Sequence, residues 1–440
     1  MLIGVGRRVP RQVPEQPSVA ARWLGLYVVV AVGRLTDLLP FAHSLPLAKM
    51  VFAIVLIAAF RGRAGVSPVR LSSIDLARNA IAFTALVLVS FVFSTYKSES
   101  LAFIAGTFLT VIVGFFISVK VLARWRDIRA VLKAFAIVGL ILSAETLAGY
   151  TGGRAYVQSM YDTNDLAYVL TGVLPITLAF AAISSRFARI FWFAVSALIV
   201  TAVLLTQSRG GLLALVAIVL MLVWKPLLAP AADNSARAGA RGVMVRAIVA
   251  AVLSVATWTQ LPTDAQHRLG LLVSLQDDYN TDLSNTTGRS SIWKRNAIAG
   301  LERPIGFGVD TFTYVDGHTG GQYMAPHNSV LEVFVELGVL GLVLWLRLWI
   351  LSWRSLQPSP NATAAQPVES ELKRREQLVM AQALRICLVA LFVAGFFLSQ
   401  SYSVILWELL ATCAAVGVLF GTHAKKVPVI PRRRHYAASP

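Results

Sequence analysis

Apolar runs of membrane-spanning length recur along the whole chain, and no other feature limits its fold as tightly. They fall at roughly residues 23–41, 45–60, 77–94, 100–119, 130–148, 165–183, 188–206, 210–224, 246–260, 328–350, 384–400 and 402–420. About 20 apolar residues carry a helix across a bilayer core. The runs therefore predict an all-α, polytopic membrane protein with about twelve transmembrane helices. Composition agrees, with 56% hydrophobic and 14% charged residues, against about 25% charged in a soluble domain. So few charges cannot cover a soluble surface, which excludes a soluble enzyme. The only cysteines, Cys387 and Cys413, lie inside apolar runs, so there is no disulfide framework and no Cys-x-x-Cys metal site.

The charges are lopsided, with 40 Lys+Arg against 22 Asp+Glu and a net charge of +18. On a soluble protein that balance would suggest nucleic acid; here its distribution along the chain decides. With the N-terminus inside, the inner segments hold Arg7, Arg8, Arg11, Arg22, Arg61, Arg63, Arg70, Lys120, Arg124, Arg126, Arg129, Arg186 and Arg189. They go on to hold Lys225, Arg237, Arg241, Arg246, Arg354, Lys373, Arg374, Arg375, Lys425, Lys426 and Arg432 to Arg434. Short outer turns carry only Lys49, Lys97, Arg154 and Arg209. The alternation obeys the positive-inside rule and puts both termini in the cytoplasm. The excess sets topology, and no nucleic-acid partner is implied.

These boundaries give a cytoplasmic tail at 1–22, helices one to nine over 23–260, and a long outer loop at 261–326. Helices ten to twelve follow over 327–420, interrupted by a polar cytoplasmic linker at 355–382. The basic tail at 421–440 suits anionic membrane lipids. No Ala-x-Ala-like site follows the first apolar run, so that run reads as an uncleaved anchor. The two halves do not repeat, whereas many transporters are built from paired repeats.

The outer loop holds five Lys/Arg against seven Asp/Glu and so has no share in the basic excess. Thr263 and Gln266 form a capping-box pattern for one short amphipathic helix, with Leu269, Leu272 and Val273 on its apolar face. A second helix is expected from Gly288 to Glu302, stopped by Arg303-Pro304. A glycine-spaced turn, Gly306-Phe307-Gly308, comes next. A long structured loop of this kind is more often functional than decorative.

Ionisable groups near membrane depth mark functional candidates. Arg209 lies in a tight outer turn, Gln207-Ser208-Arg209-Gly210-Gly211. It is either an interfacial arginine reaching for headgroups or an anion ligand, its fork on phosphate oxygens and the glycines admitting backbone N–H groups. Arg289 is a second outside arginine able to meet an anion, or a solvated charge. His327 stands at the outer end of helix ten, with Asn328 as its N-cap. A positive helix terminus disfavours the imidazolium, which suits a general base; alone, the residue would read as a satisfied interfacial histidine. Glu332 and Glu336 follow on one helical face, about 7 and 13 Å further in. They either orient the histidine, pair with an arginine, or act as hydrogen-bonders within the bundle. Arg34 and Asp37 are three apart in helix one and should pair. Asp277-Asp278 offers a divalent cation a weak site at best, and Glu145 and Glu408 are lone acids without an assigned role.

These pieces occur in one order: Gln-Ser-Arg-Gly at 207–210, Gly-Arg-x-x-x-Trp at 288–293, Pro-Ile-Gly-Phe-Gly at 304–308 and His-Asn-x-x-Leu-Glu-x-x-x-Glu-x-Gly-x-x-Gly-Leu at 327–342. The series, about residues 160–345 with Asp162-Thr163-Asn164-Asp165-Leu166-Ala167 at its start, resembles the O-antigen ligase and polymerase family of bacterial envelope proteins. The resemblance implies a GT-C-like, largely helical membrane glycosyltransferase of the bacterial inner membrane, with its long loop and active site in the periplasm. It implies a donor glycan on undecaprenyl diphosphate, and lipid A–core or a growing polysaccharide as acceptor. By the same token Arg209 and Arg289 would grip the diphosphate and His327 would activate the acceptor hydroxyl. Asn328, Glu332 and Glu336 would line the substrate site. Inverting chemistry without a cofactor or metal is expected. A polymerase using the same carrier is the alternative within the family, and a lipid-linked glycan flippase the alternative outside it.

Overall fold

The computed structural model describes residues 16–38, 46–61, 69–157, 161–227, 287–358 and 368–421, with positions 259, 263 and 266 besides. In chain order its helices begin with α1 (Val19–Val32), α2 (Leu35–Leu38), α3 (Leu47–Arg61) and α4 (Asp75–Phe93). Next come α5 (Lys97–Val121), which contains a π-turn at Ile104–Phe108, then α6 (Trp125–Ala148), α7 (Thr163–Ile183), α8 (Arg186–Leu205) and α9 (Arg209–Trp224). The series closes with α10 (Arg289–Glu302), α11 (Phe312–His318), α12 (Ser329–Ser355), α13 (Val368–Gly395) and α14 (Val404–Leu419). Seven of them, α4 to α8, α12 and α13, are long and apolar enough to cross a membrane, while α1, α9 and α14 are shorter apolar helices. Among the described residues there is no strand, only one isolated bridge between Val157 and Tyr161. The chain is an all-α, multi-pass membrane protein. The ninth expected span, 246–260, the capping-box helix and Asp277-Asp278 lie outside the described residues, apart from Thr259, Thr263 and Gln266, which are helical.

Burial ranks the helices. In α7, 89% of the apolar window is buried, against 39% in α8, so α7 is central and α8 faces outward. Around α7 pack α6, α8, α9 and α13. Small residues permit the approach: Gly172 of α7 lies against Leu391 of α13, and Gly139 of α6 against Val173 and Ile199. Close packing of this kind holds helices together where lipid is as apolar as the side chains. Glu408 belongs to the same interior, where it accepts from Ser118 Oγ at 2.7 Å, whereas Glu145 is exposed on α6.

The structure corrects three sequence expectations. The first apolar run is not one helix, because it breaks at Gly33-Arg34, where Arg34 has a φ of 47°. Arg34 and Asp37 do pair, Nε to Oδ2 at 3.9 Å, but across that break. Secondly, much of the polar stretch 355–382 is helical, since α13 starts at Val368. Glu376 docks it on α6 through Arg129 Nε at 2.8 Å and the indole of Trp125 at 3.3 Å.

The third correction bears on the site. Helix α12 is interrupted at Gly338, with φ 68° and ψ −167°. Backbone groups freed at such a break need partners away from water, and residues 304–308 supply them. Phe307 N donates to Val335 O at 3.0 Å, Gly308 N to Glu336 O at 2.9 Å, and Val339 N to Pro304 O at 3.0 Å. A Cβ on Gly306 would strike Glu336 O, and one on Gly338 would strike Pro304 O. The Pro-Ile-Gly-Phe-Gly and Glu-Leu-Gly segments are thus two halves of one backbone lock.

Candidate functional site

One end of the bundle gathers the candidate residues, the end that the charge pattern places outside. Tyr161 Oη donates to Val32 O at 2.9 Å and carries the Arg34 guanidinium over its ring at 4.8 Å. Ala155 N donates to Leu205 O at 2.8 Å, and Gln207 Nε2 to Gly153 O at 2.9 Å. The turn at 396–403 joins in through Gln400 Nε2, which donates to Asp165 Oδ1 at 2.8 Å. Among the described residues, five other than glycine have positive φ: Arg34, Gln207, Asp310, Tyr323 and His327. All five lie in the connections at this end. Backbone of that kind costs about 1–3 kcal/mol per residue and collects where function over-determines geometry.

Arg209 is the first residue of α9 and is half-buried. Ser208 caps the helix by accepting from Gly211 N at 3.3 Å. A Cβ on Gly211 would run into Ala167 of α7, and Gly210 packs on Phe397. The two glycines therefore serve close helix packing, and Gly211 N–H is already engaged by the cap. With the Gly211 N–H committed to Ser208, the anion-binding potential of this turn rests chiefly on the guanidinium.

Arg289 likewise opens a helix, behind Gly288 at the N-cap. One turn on, Trp293 Nε1 donates to Pro326 O at 2.7 Å, and its ring meets Phe396 edge-on at 5.6 Å. Phe396 contacts Phe397 at 5.5 Å, which lies on Gly210. Aromatic contacts thus link the helix of Arg289 to the helix of Arg209.

His327 follows Pro326, half-buried, with a φ of 44°. Burial lowers its pKa below the ordinary 6.5, the charge of Arg289 lowers it further, and Asp162 opposes both. The helix terminus is expected to disfavour the imidazolium, and burial and the charge of Arg289 act in the same direction. Asn328 caps α12 by accepting from Val330 N and Leu331 N at 3.0 Å each. Its side-chain oxygen is therefore committed to the helix. Glu332 accepts from Ser401 Oγ at 2.6 Å and Glu336 from Tyr402 Oη at 3.1 Å. Both carboxylates hold the 398–403 turn against α12.

The structure also brings in residues that sequence reasoning left without a role. Asp162 caps α7, its Oδ1 accepting from Asn164 N and Asp165 N at 2.7 Å, and its charge reaches His327. Asp165 ties α7 to Gln400, whose N–H donates to Ser329 Oγ at 2.9 Å, two residues beyond His327. The Asp-Thr-Asn-Asp pattern was visible in the sequence, but nothing local to it pointed to residues 327–329 or 400.

Residues 193–346, from α8 past the break in α12, match the family model described as O-antigen ligase. Over that stretch the chain is similar to the O-antigen ligase family. No curated protein matches the chain at a significant level. The matched stretch contains Arg209, Arg289, His327, Asn328, Glu332, Glu336 and both halves of the backbone lock. The family implies ligase- or polymerase-type transfer by a membrane glycosyltransferase-like enzyme acting on lipid-linked polysaccharide. Arg34, Asp162, Asp165 and Gln400 lie outside the matched O-antigen ligase stretch yet meet the same end of the bundle.

Proposed function

We propose that this protein transfers a glycan from undecaprenyl diphosphate to an acceptor hydroxyl on lipid A–core, at the periplasmic face of the bacterial inner membrane. The observation that supports the reading is the half-buried imidazole of His327 within electrostatic range of Arg289, where burial and that charge both favour the neutral form that a general base requires. His327 takes the proton from the acceptor hydroxyl as that oxygen bonds to the anomeric carbon. The bond from that carbon to the phosphate oxygen breaks, and the diphosphate leaves with the electron pair. Attack opposite the leaving group inverts the anomeric centre. Arg209 and Arg289 receive the departing charge, and because the diphosphate is already a good leaving group, fixed cations suffice. Glu332 and Glu336 keep the turn at 398–403 in register with the helix that His327 heads.

The test is transfer by the purified protein in lipid nanodiscs, with carrier-linked glycan and a lipid acceptor, with and without a chelator. Turnover that survives chelation and is lost in His327→Ala supports the mechanism. Turnover that persists in His327→Ala refutes the base role, and loss on chelation makes the reaction metal-dependent. In cells lacking the protein, a ligase leaves core bare while carrier-linked chains accumulate. Single repeats on core would instead identify a polymerase.

A further inference from the structure

Of the five strained residues at this end, Tyr323 alone puts an aromatic ring into solvent: its φ is 58° and it is 58% exposed. The ring lies over Gly317 of α11, where an added Cβ would sit nearly equidistant from three consecutive ring atoms. Near-equal separations of that kind mean approach over a ring face, so one face is seated on glycine backbone. Tyr314 and His318, one turn apart on α11, stand at 86° and 78° to the ring, with centroids at 6.4 and 6.2 Å. Tyr314 stacks on Tyr96 at 4.9 Å, and Tyr96 Oη lies 2.8 Å from His318 Nδ1. Behind the rings, Asp316 anchors the segment by accepting from Arg295 Nη2 at 2.7 Å and from Met324 N at 3.1 Å. The result is a braced aromatic shelf with a strained tyrosine at its edge.

Carboxylates surround the shelf. Glu99 and Asp310 lie within electrostatic range of the Tyr314 hydroxyl and of each other. A pyranose offers one face of C–H groups, attracted to the negative face of an aromatic ring, and hydroxyls that donate to carboxylates. Tyrosine gives such contact area at low entropic cost. Phosphate-bearing ligands are repelled by the same acids. Tyr323 stands four positions before His327, so their Cα atoms lie within about 14 Å. A glycan whose first sugar sits at His327 can reach the shelf within a few units.

We infer that Tyr323, braced by Tyr314, His318 and Tyr96, is a saccharide-binding platform for uncharged or amine-bearing sugars of the carrier-linked donor glycan. The inference rests on the transferase reading and assigns it a subsite beyond the reacting bond. The donor is favoured over the acceptor because the arginines hold the donor's phosphates, leaving its glycan to run toward the acidic rim.

The test uses the full chain in nanodiscs. Binding of saccharide released from the carrier-linked donor by mild acid is followed by saturation-transfer NMR. KM is measured for donors bearing one sugar and several repeats. Tyr323→Asn suits the left-handed backbone but removes the ring, and Tyr323→Phe keeps the ring. We expect Tyr323→Asn to weaken saccharide binding and raise the ratio of long-donor to one-sugar KM, each by roughly tenfold. Tyr323→Phe should stay within about twofold of wild type. An equal rise in KM for both donors, a change confined to the acceptor KM, or no saccharide binding by wild type overturns the platform. Saccharide binding that depends on Tyr323, in a protein that transfers nothing, would leave the platform standing and remove the transferase reading instead.

Discussion

The indole of Trp293 donates to the carbonyl of Pro326 at 2.7 Å, and this bond fixes the helix that begins with Arg289 to the residue preceding His327. Nothing in the local sequence joins these two groups, which lie 33 residues apart. Through that bond Arg289 and His327 share one frame.

Trp293→Phe tests the frame, since it preserves an edge-on contact with Phe396 while removing the donor. One hydrogen bond contributes about 1 kcal/mol, so kcat/KM for transfer should fall about fivefold, with a melting temperature near that of wild type. Unchanged transfer by a stably folded variant would show that the bond does not position Arg289.

The acid limb of the pH profile of kcat/KM should report His327. Protonated imidazole cannot accept a proton, so activity is lost as pH falls through its pKa, and burial and Arg289 place that midpoint below 6.5. Removing the positive neighbour in Arg289→Gln should move the midpoint up, and removing the negative one in Asp162→Asn should move it down. The midpoint is read independently of the height of the profile, so weaker donor binding in Arg289→Gln does not obscure it. Shifts in the opposite directions would mean that another group titrates.

Arg209 should be intolerant of lysine as well as alanine. A guanidinium grips phosphate oxygens with two parallel donors that an ammonium lacks. Arg209→Ala should lose about 10²–10³ in kcat, the range for removal of one preorganised charge-stabilising donor. Arg209→Lys should recover only part of that loss. Full activity in Arg209→Lys, measured with saturating donor, would reduce the residue to a general positive charge.

The backbone lock predicts stability effects that burial alone does not. Gly338→Ala and Gly306→Ala each force a Cβ into the opposing segment at a positive φ, costing at least about 1–3 kcal/mol. Gly106→Ala, which meets nothing within 4 Å, should change the melting temperature little. Thermal unfolding in one detergent compares the three directly.

The sequence by itself determined what depends on composition and local order. Apolar runs dictated helices, because lipid leaves the backbone no other economical way to satisfy its hydrogen bonds. Asn328 announced a helix start, Arg303-Pro304 announced a stop, and the spacing of Arg209, Arg289 and His327 carried the family resemblance. Tertiary structure decided what depends on distant pairs. The break at Gly338 could not be read from a run that looks like unbroken helix, since the segment that satisfies it lies about thirty residues upstream. The glycines after Arg209 look like an anion cradle in isolation, and only Ala167 and Phe397 reveal them as packing contacts. Likewise Glu332 and Glu336 find Ser401 and Tyr402 on another helix connection, and Asp162 comes within electrostatic range of His327. Local sequence encodes propensity and caps; which cation tunes which base is a matter of through-space distance, and that exists only once the helices have packed.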